Sequence, residues 1–545
     1  MAEAVHRLPE NLRLLEERDP GLAAAIRGSI PDPRLVFMTA RNGASVPAVR
    51  SVAGTSPLHS LYDPRREGKR LAEASRGAGC LVVCGLGGGY HLEAMLEDKS
   101  LRSLVVVEKD GSVLRSLMDS LDLTRLLRDR RLSIVCGTSA IPAALAAAWK
   151  PALAGTMKSA ALRAWCDREK DFFRQATDSI QQAVESVRAD YGVQSHFGKR
   201  WFSNMLHNLP LVCAAPAAPT ARSAAVIAAG PSLDEQVRQL AARKADSLLI
   251  ATDTSLPALL GRGIAPDAVL SIDCQVYGYH HFLKGLPPGT RLFLDLASPP
   301  QLARLRRAPF FMASGHPFAR YLSTHLVPLP RLDTSGGNVT HAAVALARSL
   351  GATEITVYGA DFSYPKGKAY ARGTYLYDLF RSSAGRLQPA ESSLLRLALE
   401  NARRDRPGDP SVFTTPLLLA YRERFLRLME TIDATVTPVA GLGLPLRGAP
   451  GRTEARVATP PWPASVPGGL PGWRQVLAGY ARSLEELGEG LVAASDTPLR
   501  DTLLPVAARV IREGSPSGGP ALIEARRWVL ERIARHLGGA SDVQG

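Results

Sequence analysis

The sequence predicts an α/β protein: two Rossmann-like domains with parallel sheets flanked by helices, followed by a helical C-terminal region. Three observations lead there. Short apolar runs recur, each the length of a buried strand and each followed by a helical pattern, which is the signature of strand–helix alternation and a parallel sheet. Two of these runs end in glycine-containing turns, Gly85-Leu86-Gly87-Gly88-Gly89 and Gly230-Pro231-Ser232. Beyond Gln475 the apolar residues keep helical spacing with one interruption, Gly514 to Pro520.

At 545 residues the chain has room for several domains. Hydrophobic residues make up 46% and charged residues 21%, the balance of an ordinary globular protein rather than a disordered or membrane-spanning one. The formal net charge of +15, with a pI near 9.7, favours anionic partners. The basic residues are scattered and form no dense block interleaved with aromatics, so nucleic acid is not an expected partner. Cys80, Cys84, Cys136, Cys166, Cys213 and Cys274 lack zinc-ligand spacing and read as reduced core residues. The charged N-terminus has no apolar signal region, and no apolar run is long enough to span a bilayer. A cytoplasmic protein that is not transmembrane is expected.

Residues 1–75 read as an N-terminal cap segment, with a helix from Asn11 to Arg27 and short strands at Phe37 to Thr39 and Val46 to Val52. Residues 76–137 read as a Rossmann-like domain. A strand from Cys80 to Cys84 enters the glycine-rich turn, a second from Leu104 to Val107 ends in Glu108, and a third runs from Leu132 to Cys136. An acid closing the second strand of such a unit suits ribose hydroxyls, so the functional reading is a nucleotide or S-adenosylmethionine pocket. The competing reading, a turn kept for packing that binds nothing, is the favoured one. Residues 138–222 form a helical connector and linker, clearest from Lys170 to Val193. Residues 223–445 form the central domain, 446–473 a Pro/Gly linker, and 474–545 a helical C-terminal domain suited to docking or to a homo-oligomer.

The central segment carries the chemistry. Ala224 to Ala229 reads as a strand, Gly230-Pro231 as a tight turn, and Ser232 as the N-cap of the next helix. That arrangement offers unpaired N–H groups to a phosphate. Ser335-Gly336-Gly337-Asn338 leads into a helix from Val339 to Leu350 and forms a second such N-terminus. Further strands end in Asp253, Asp273 and Asp361. In a parallel sheet these residues collect at the carboxyl edge, where ligands sit. Asp253 and Asp273 could take ribose or base donors, or hold a metal; each alone reads equally well as a cap or turn residue.

These ordered motifs, with Pro266-Asp267, Ser271-Ile272-Asp273 and Tyr358-Gly359-Ala360-Asp361-Phe362 among them, resemble the DUF115 (MptE-like) domain over about residues 200 to 440. Motility accessory factors, the Maf flagellin glycosyltransferases, are built around that domain. The Gly-Pro-Ser-Leu and Ser-Gly elements are also similar to those of sialyltransferases that use CMP-sialic acid. The resemblance implies transfer of a nonulosonic acid, of pseudaminic or legionaminic type, from a CMP-sugar to Ser or Thr hydroxyls of flagellin. It implies that Gly230, Pro231 and Ser232 line the nucleotide-phosphate loop and that Asp253 and Asp273 face the nucleotide. Ser335, Gly336, Gly337 and Asn338 would hold the donor, and Asp361 would close the site in a catalytic role. No metal ligand is assigned, and Mg2+ stays an option.

The sequence departs from that pattern at one point. CMP-sialyltransferases place a histidine in the lid after the last strand; here Lys366 to Gly373 occupies the loop, and Tyr370 stands where the base is sought. Tyrosine is a poor base near pH 7. Lys366, Lys368 and Arg372 could clamp a phosphate or sugar carboxylate, and His280 or His281 could reach the site. Two alternatives stay open. One is the pyrophosphate transfer from ATP of the archaeal 6-hydroxymethylpterin diphosphokinases in the same group. The other is a catalytically silent motility accessory protein.

Overall fold

A computed structural model describes residues 7–52, 54–212, 218–243, 247–400, 402–404, 412–446, 462, 472–488 and 498–538. Cys213 and most of the 446–473 linker lie outside the described residues. The chain divides into two compact units, Met1–Gly198 with Leu484–Val529 and Lys199–Ser483 with Leu530–Gly545.

In the first unit β1 (Leu35–Thr39), β2 (Ser45–Ser51) and β3 (Gly54–Pro57) form a small antiparallel sheet. A second, parallel sheet contains β4 (Cys80–Cys84), β5 (Ser103–Glu108), β6 (Leu132–Cys136) and β7 (Met157–Ala161), in the order β6-β5-β4-β7. Every residue of β4 and β5 is buried, as expected of parallel strands covered on both faces. Leu81, Val83, Leu104 and Val106 pack into one core; Cys80, Val82, Cys84, Val105 and Val107 pack into the other. β7 falls in the stretch expected to be helical. Its sequence, Met-Lys-Ser-Ala-Ala, has no β-branched residue and lies on a half-exposed edge, so it carries no strand signal.

The second unit holds a parallel sheet of seven strands. They are β8 (Ser223–Ile227), β9 (Leu248–Thr252), β10 (Ala268–Ser271), β11 (Arg291–Asp295), β12 (Phe310–Met312), β13 (Glu354–Tyr358) and, last in the chain, β17 (Thr435–Pro438). Between them in sequence, β14 (Tyr364–Pro365), β15 (Arg403–Arg404) and β16 (Val412–Thr414) make a small antiparallel sheet. The large sheet is ordered β12-β11-β10-β9-β8-β13-β17. The chain steps outward from β8 to β12 and returns to the other flank of β8, so the topological switch lies between β8 and β13. The helix Val339–Ser349 lies against β8, β9 and β10, and its Ala342, Ala343, Ala345 and Ala347 are buried. Asn338 Oδ1 caps it by accepting from the His341 N–H at 3.0 Å. β17, an edge strand of Thr-Val-Thr-Pro, was not legible as a strand.

Four C-terminal helices follow among the described residues: Trp473–Glu486, Pro498–Asp501, Leu504–Arg512 and Gly519–Gly538. The expected fold class is therefore the observed one. No helix among the described residues is long and apolar enough to cross a membrane.

Candidate functional site

At the switch point the chain fills its own crevice. The N–H of Ala228 donates to Tyr358 O at 2.9 Å, and that of Gly230 to Gly359 O at 2.8 Å. The Ser232 N–H donates to Asp361 Oδ2 at 2.8 Å, and the Ser232 hydroxyl donates to Asp361 Oδ1. Leu442 N–H in turn donates to Ser232 Oγ at 2.6 Å, and Leu444 N–H to Asp361 O at 3.0 Å. A Cβ on Gly230 would collide with the Asp361 carboxylate and with Gly359 O, which is why glycine stands there.

This geometry corrects three expectations. Ser232 does not cap its helix with its side chain; only its carbonyl serves the helix, accepting from Glu235 and Gln236. The turn Gly230-Pro231-Ser232 is not an open phosphate cradle, because the N–H groups of Gly230, Ser232 and Leu233 already have partners within the chain. Asp361 does not stand free as a reacting group. It is buried, burial raises its carboxyl pKa against the opposing hydrogen bonds from Ser232, and its carboxylate holds the position a phosphate would take.

The open chemistry lies one and two strands away. Asp253 leaves β9 with both oxygens engaged: Oδ2 accepts from Ser271 Oγ at 2.7 Å, and Oδ1 accepts from the N–H and hydroxyl of Thr254 at 2.6 and 3.0 Å. Asp273 leaves β10 open to solvent, with Oδ1 accepting from Gln275 N–H at 2.9 Å. Its carboxyl pKa is raised, by desolvation first and then by the charge of Asp253. Tyr370 is near enough to Asp253 to feel its charge. Burial, followed by Tyr364, Tyr375 and Asp253, pushes its phenol up to about 12. Burial therefore works against the expected role of Tyr370 as the base, because it keeps the phenol protonated. Tyr375 is raised by burial and by Asp253 and Asp273. Its ring meets His281 edge-on at 4.5 Å and stacks on His280 at 5.8 Å.

The Ser335–Asn338 turn is built from beneath. Ser335 N–H donates to Asp333 Oδ1 at 2.9 Å, and His341 Nε2 lies 3.0 Å from Asp333 Oδ2. The hydrogen bond with His341 holds the Asp333 carboxyl well below the usual carboxylate range. The His341 ring fills the space a Cβ on Gly336 would need. Gly337 has φ +73°, and a Cβ there would lie 2.8 Å from the Tyr421 ring and 3.3 Å from Arg424 Nη1. Tyr421 is also among the groups that raise the Tyr370 phenol. The turn therefore shares neighbours with the tyrosine cluster, whereas Gly230 and Asp361 belong to the filled knot. Tyr375, Tyr421 and Arg424 are missed by sequence reasoning. Tyr421 and Arg424 stand three apart on one helix, Pro416–Thr431, but nothing local ties that face to a site.

As a metal centre the site is poor. Among the described residues no three His, Cys, Asp or Glu side chains gather as metal ligands, and both oxygens of Asp253 already accept hydrogen bonds within the chain.

The glycine-rich turn of the first unit is filled more completely. Leu86 N–H donates to Glu108 Oε2 at 2.8 Å, and Gly88 N–H to His59 Nε2 at 2.9 Å. A Cβ on Gly85 would lie 2.6 Å from Trp165, and one on Gly89 2.7 Å from Leu126. Leu162 and His59 crowd Gly87. Glu108, which the disfavoured nucleotide reading would set at a ribose, secures the turn; it is 1% exposed, and burial pushes its carboxyl up to about 7.

Residues 202–367 match the family described as 6-hydroxymethylpterin diphosphokinase MptE-like. Proteins of Treponema pallidum (strain Nichols), described as uncharacterized, are similar over parts of the chain. One is 40% identical over 116 residues, 21% of this chain and 41% of that protein. Another is 32% identical over 143 residues, 25% of this chain and 66% of that protein. The chain thus spans less than two thirds of the length of these relatives. Among solved structures, the MAf glycosyltransferase from Magnetospirillum magneticum AMB-1 matches with a TM-score of 0.54 at 14% identity, over 97% of this chain and 90% of that one. At that identity the likeness is one of fold. The chain carries an MptE-like domain of DUF115 type over residues 202–367, within a fold shared with a Maf glycosyltransferase.

Proposed function

We propose that the protein is a glycosyltransferase that moves a nonulosonic acid from a CMP-sugar to Ser or Thr hydroxyls of flagellin. The observation that carries this reading is the cluster of polar groups beyond the carboxyl edge of β9 and β10. Asp253, Asp273, Tyr370 and Tyr375 meet there, and Tyr421 links them to the Ser335–Asn338 turn. As the sugar leaves CMP, its anomeric carbon becomes oxocarbenium-like and the phosphate gains charge. Burial keeps the Tyr370 and Tyr375 phenols protonated, so both can donate to a leaving anion. Such fixed donors act without reorganising as charge develops. Arg424 and the N-terminus of the helix Val339–Ser349 add positive potential. Asp253, already oriented by Ser271 and Thr254, has one acceptor site left, on Oδ2, for a ribose hydroxyl. The net charge of +15 suits an anionic donor.

Two measurements test the reading: isothermal titration of the full chain with CMP, and intact-mass analysis of flagellin incubated with the chain and a CMP-nonulosonic acid. Saturable CMP binding and a mass gain of one sugar per modified site are expected. No binding and no gain would overturn it. The description of the matched family supports a second reading, pyrophosphate transfer from ATP to a pterin alcohol. AMP release that depends on the pterin would favour it.

A further inference from the structure

We infer that His281, backed by Asp273, is the base that takes the proton from the acceptor hydroxyl. The inference rests on the glycosyl-transfer reading above. A sugar can pass to a hydroxyl at neutral pH only if some group accepts that proton. The other groups at the carboxyl edge are unsuited. Asp361 is locked to Ser232, Asp253 has both oxygens engaged, and Tyr370 and Tyr375 hold their protons. His281 lies in the segment Val276–Phe282, which follows β10 (Ala268–Ser271) and Asp273 just beyond it. Its ring abuts the Tyr375 ring at 4.5 Å, on the same tyrosine that faces the two aspartates.

Two features make His281 available to a ligand. Its Nδ1 makes no hydrogen bond among the described residues, so it is not committed to the fold through that atom. Its neighbours Val276, Tyr277 and Leu283 are 58%, 70% and 65% exposed, so the segment gives His281 an apolar rim where a polypeptide acceptor would arrive.

The charged and titratable groups facing the ring can be named element by element. Asp273 precedes it in the chain, and Asp253 comes from the turn Asp253–Ser255 packed against its segment. Tyr375 and Asp378 come from the helix Tyr375–Ser382, with Asp378 paired to Lys284 at 3.4 Å. His280 and Tyr277 lie within its own segment. The packed helices Leu256–Leu260 and Pro300–Ala303 bring no charge. Of these groups, Asp273 is the carboxylate that interacts electrostatically with the ring.

In the step itself, the acceptor oxygen bonds to the anomeric carbon while the bond from that carbon to the CMP phosphate oxygen breaks. The bonding pair leaves with CMP. The hydroxyl proton passes to the His281 imidazole, Asp273 stabilises the imidazolium, and the proton then returns to water.

The test uses the full chain carrying His281→Gln, with CMP, a CMP-nonulosonic acid and flagellin. Transfer should fall about 10²- to 10⁴-fold, the range for loss of a general base. CMP affinity should stay within about twofold, which also reports an intact fold. The acid limb of the wild-type pH–rate profile should vanish. His281→Gly should regain activity when imidazole is added. Asp273→Asn should lower the transfer rate while leaving the apparent affinity for the acceptor nearly unchanged. Transfer at the wild-type rate by His281→Gln, or an unmoved acid limb with no imidazole rescue, would overturn the assignment while leaving CMP binding intact. Loss of CMP binding in the wild-type chain would instead remove the glycosyl-transfer reading, and this inference with it.

Discussion

In the first unit the chain leaves β4 through Gly85–Gly89; in the second it leaves β8 through Gly230-Pro231-Ser232. Both turns lie against the chain's own groups. Around the first stand Glu108, His59, Trp165, Leu162 and Leu126, and around the second stands the Asp361 carboxylate with Leu442 and Leu444 behind it. The units differ in what lies beyond the turn. In the first unit Glu108, the acid that closes β5, points back into the turn it supports. In the second, β9 and β10 lead to Asp253 and Asp273, and the stretch after β13 brings Tyr370 near enough to feel the charge of Asp253 and Tyr375 that of both. A glycine turn at a strand end therefore reports that something approaches the backbone closely. It does not report whether that is a ligand or another part of the chain. The polar groups left over after the turn is satisfied carry that information.

The largest expected effect sharpens this contrast. Tyr370→Phe removes one fixed donor and should lower transfer about 10²- to 10³-fold. Thermal stability should be nearly unchanged, because the phenol hydroxyl makes no hydrogen bond among the described residues on which the fold depends. A transfer assay paired with a melting curve checks both. Equal losses of activity and stability would mean that Tyr370 belongs to a filled turn like those at Gly85 and Gly230.

The next concerns Glu108. Its folded pKa of about 7 lies above the ordinary value of 4.5, so the native protein binds more protons than the unfolded chain between those values. The stabilising effect of this group is therefore complete below about pH 4.5 and is lost as pH rises through about 7, a loss of up to about 3 kcal/mol. Hydrogen exchange at Cys80–Cys84 in the full chain should accelerate over that window, and Glu108→Gln should flatten the dependence.

Asp361→Ala should cost about 2–3 kcal/mol, because it strands the Ser232 N–H and hydroxyl. A lowered urea midpoint for the second unit checks it. If activity fell with no change in stability, the filled-knot account of Asp361 would be wrong. Smallest is Gly337→Ala. At φ +73°, with Tyr421 and Arg424 beside the new methyl, it should cost about 1 kcal/mol and weaken CMP binding by about fivefold, read by titration.

Much of this was legible in the sequence, for identifiable reasons. β4, β5, β8 and β13 are dense apolar runs, and a run buried on both faces declares itself locally. Asp253 and Asp273 were legible because a strand end fixes where the next residue lies. β7 and β17 were not, since edge strands lack that density. The role of Asp361 was misread because its partner Ser232 is 129 residues away, a pairing that no local pattern encodes. Tyr421 and Arg424 reach the Ser335–Asn338 turn from a helix some 80 residues further on, joined only by the fold.

The account's central claim is a location: nucleotide binds over the ends of β9 and β10, not in either glycine turn. A crystal structure of the full chain with CMP tests it most directly. The account predicts CMP within hydrogen-bonding reach of Asp253 and Tyr370, with its phosphate toward Tyr375 and the Ser335–Asn338 turn. CMP seated at Gly85–Gly89, or displacing the Asp361 carboxylate from Ser232, would contradict it.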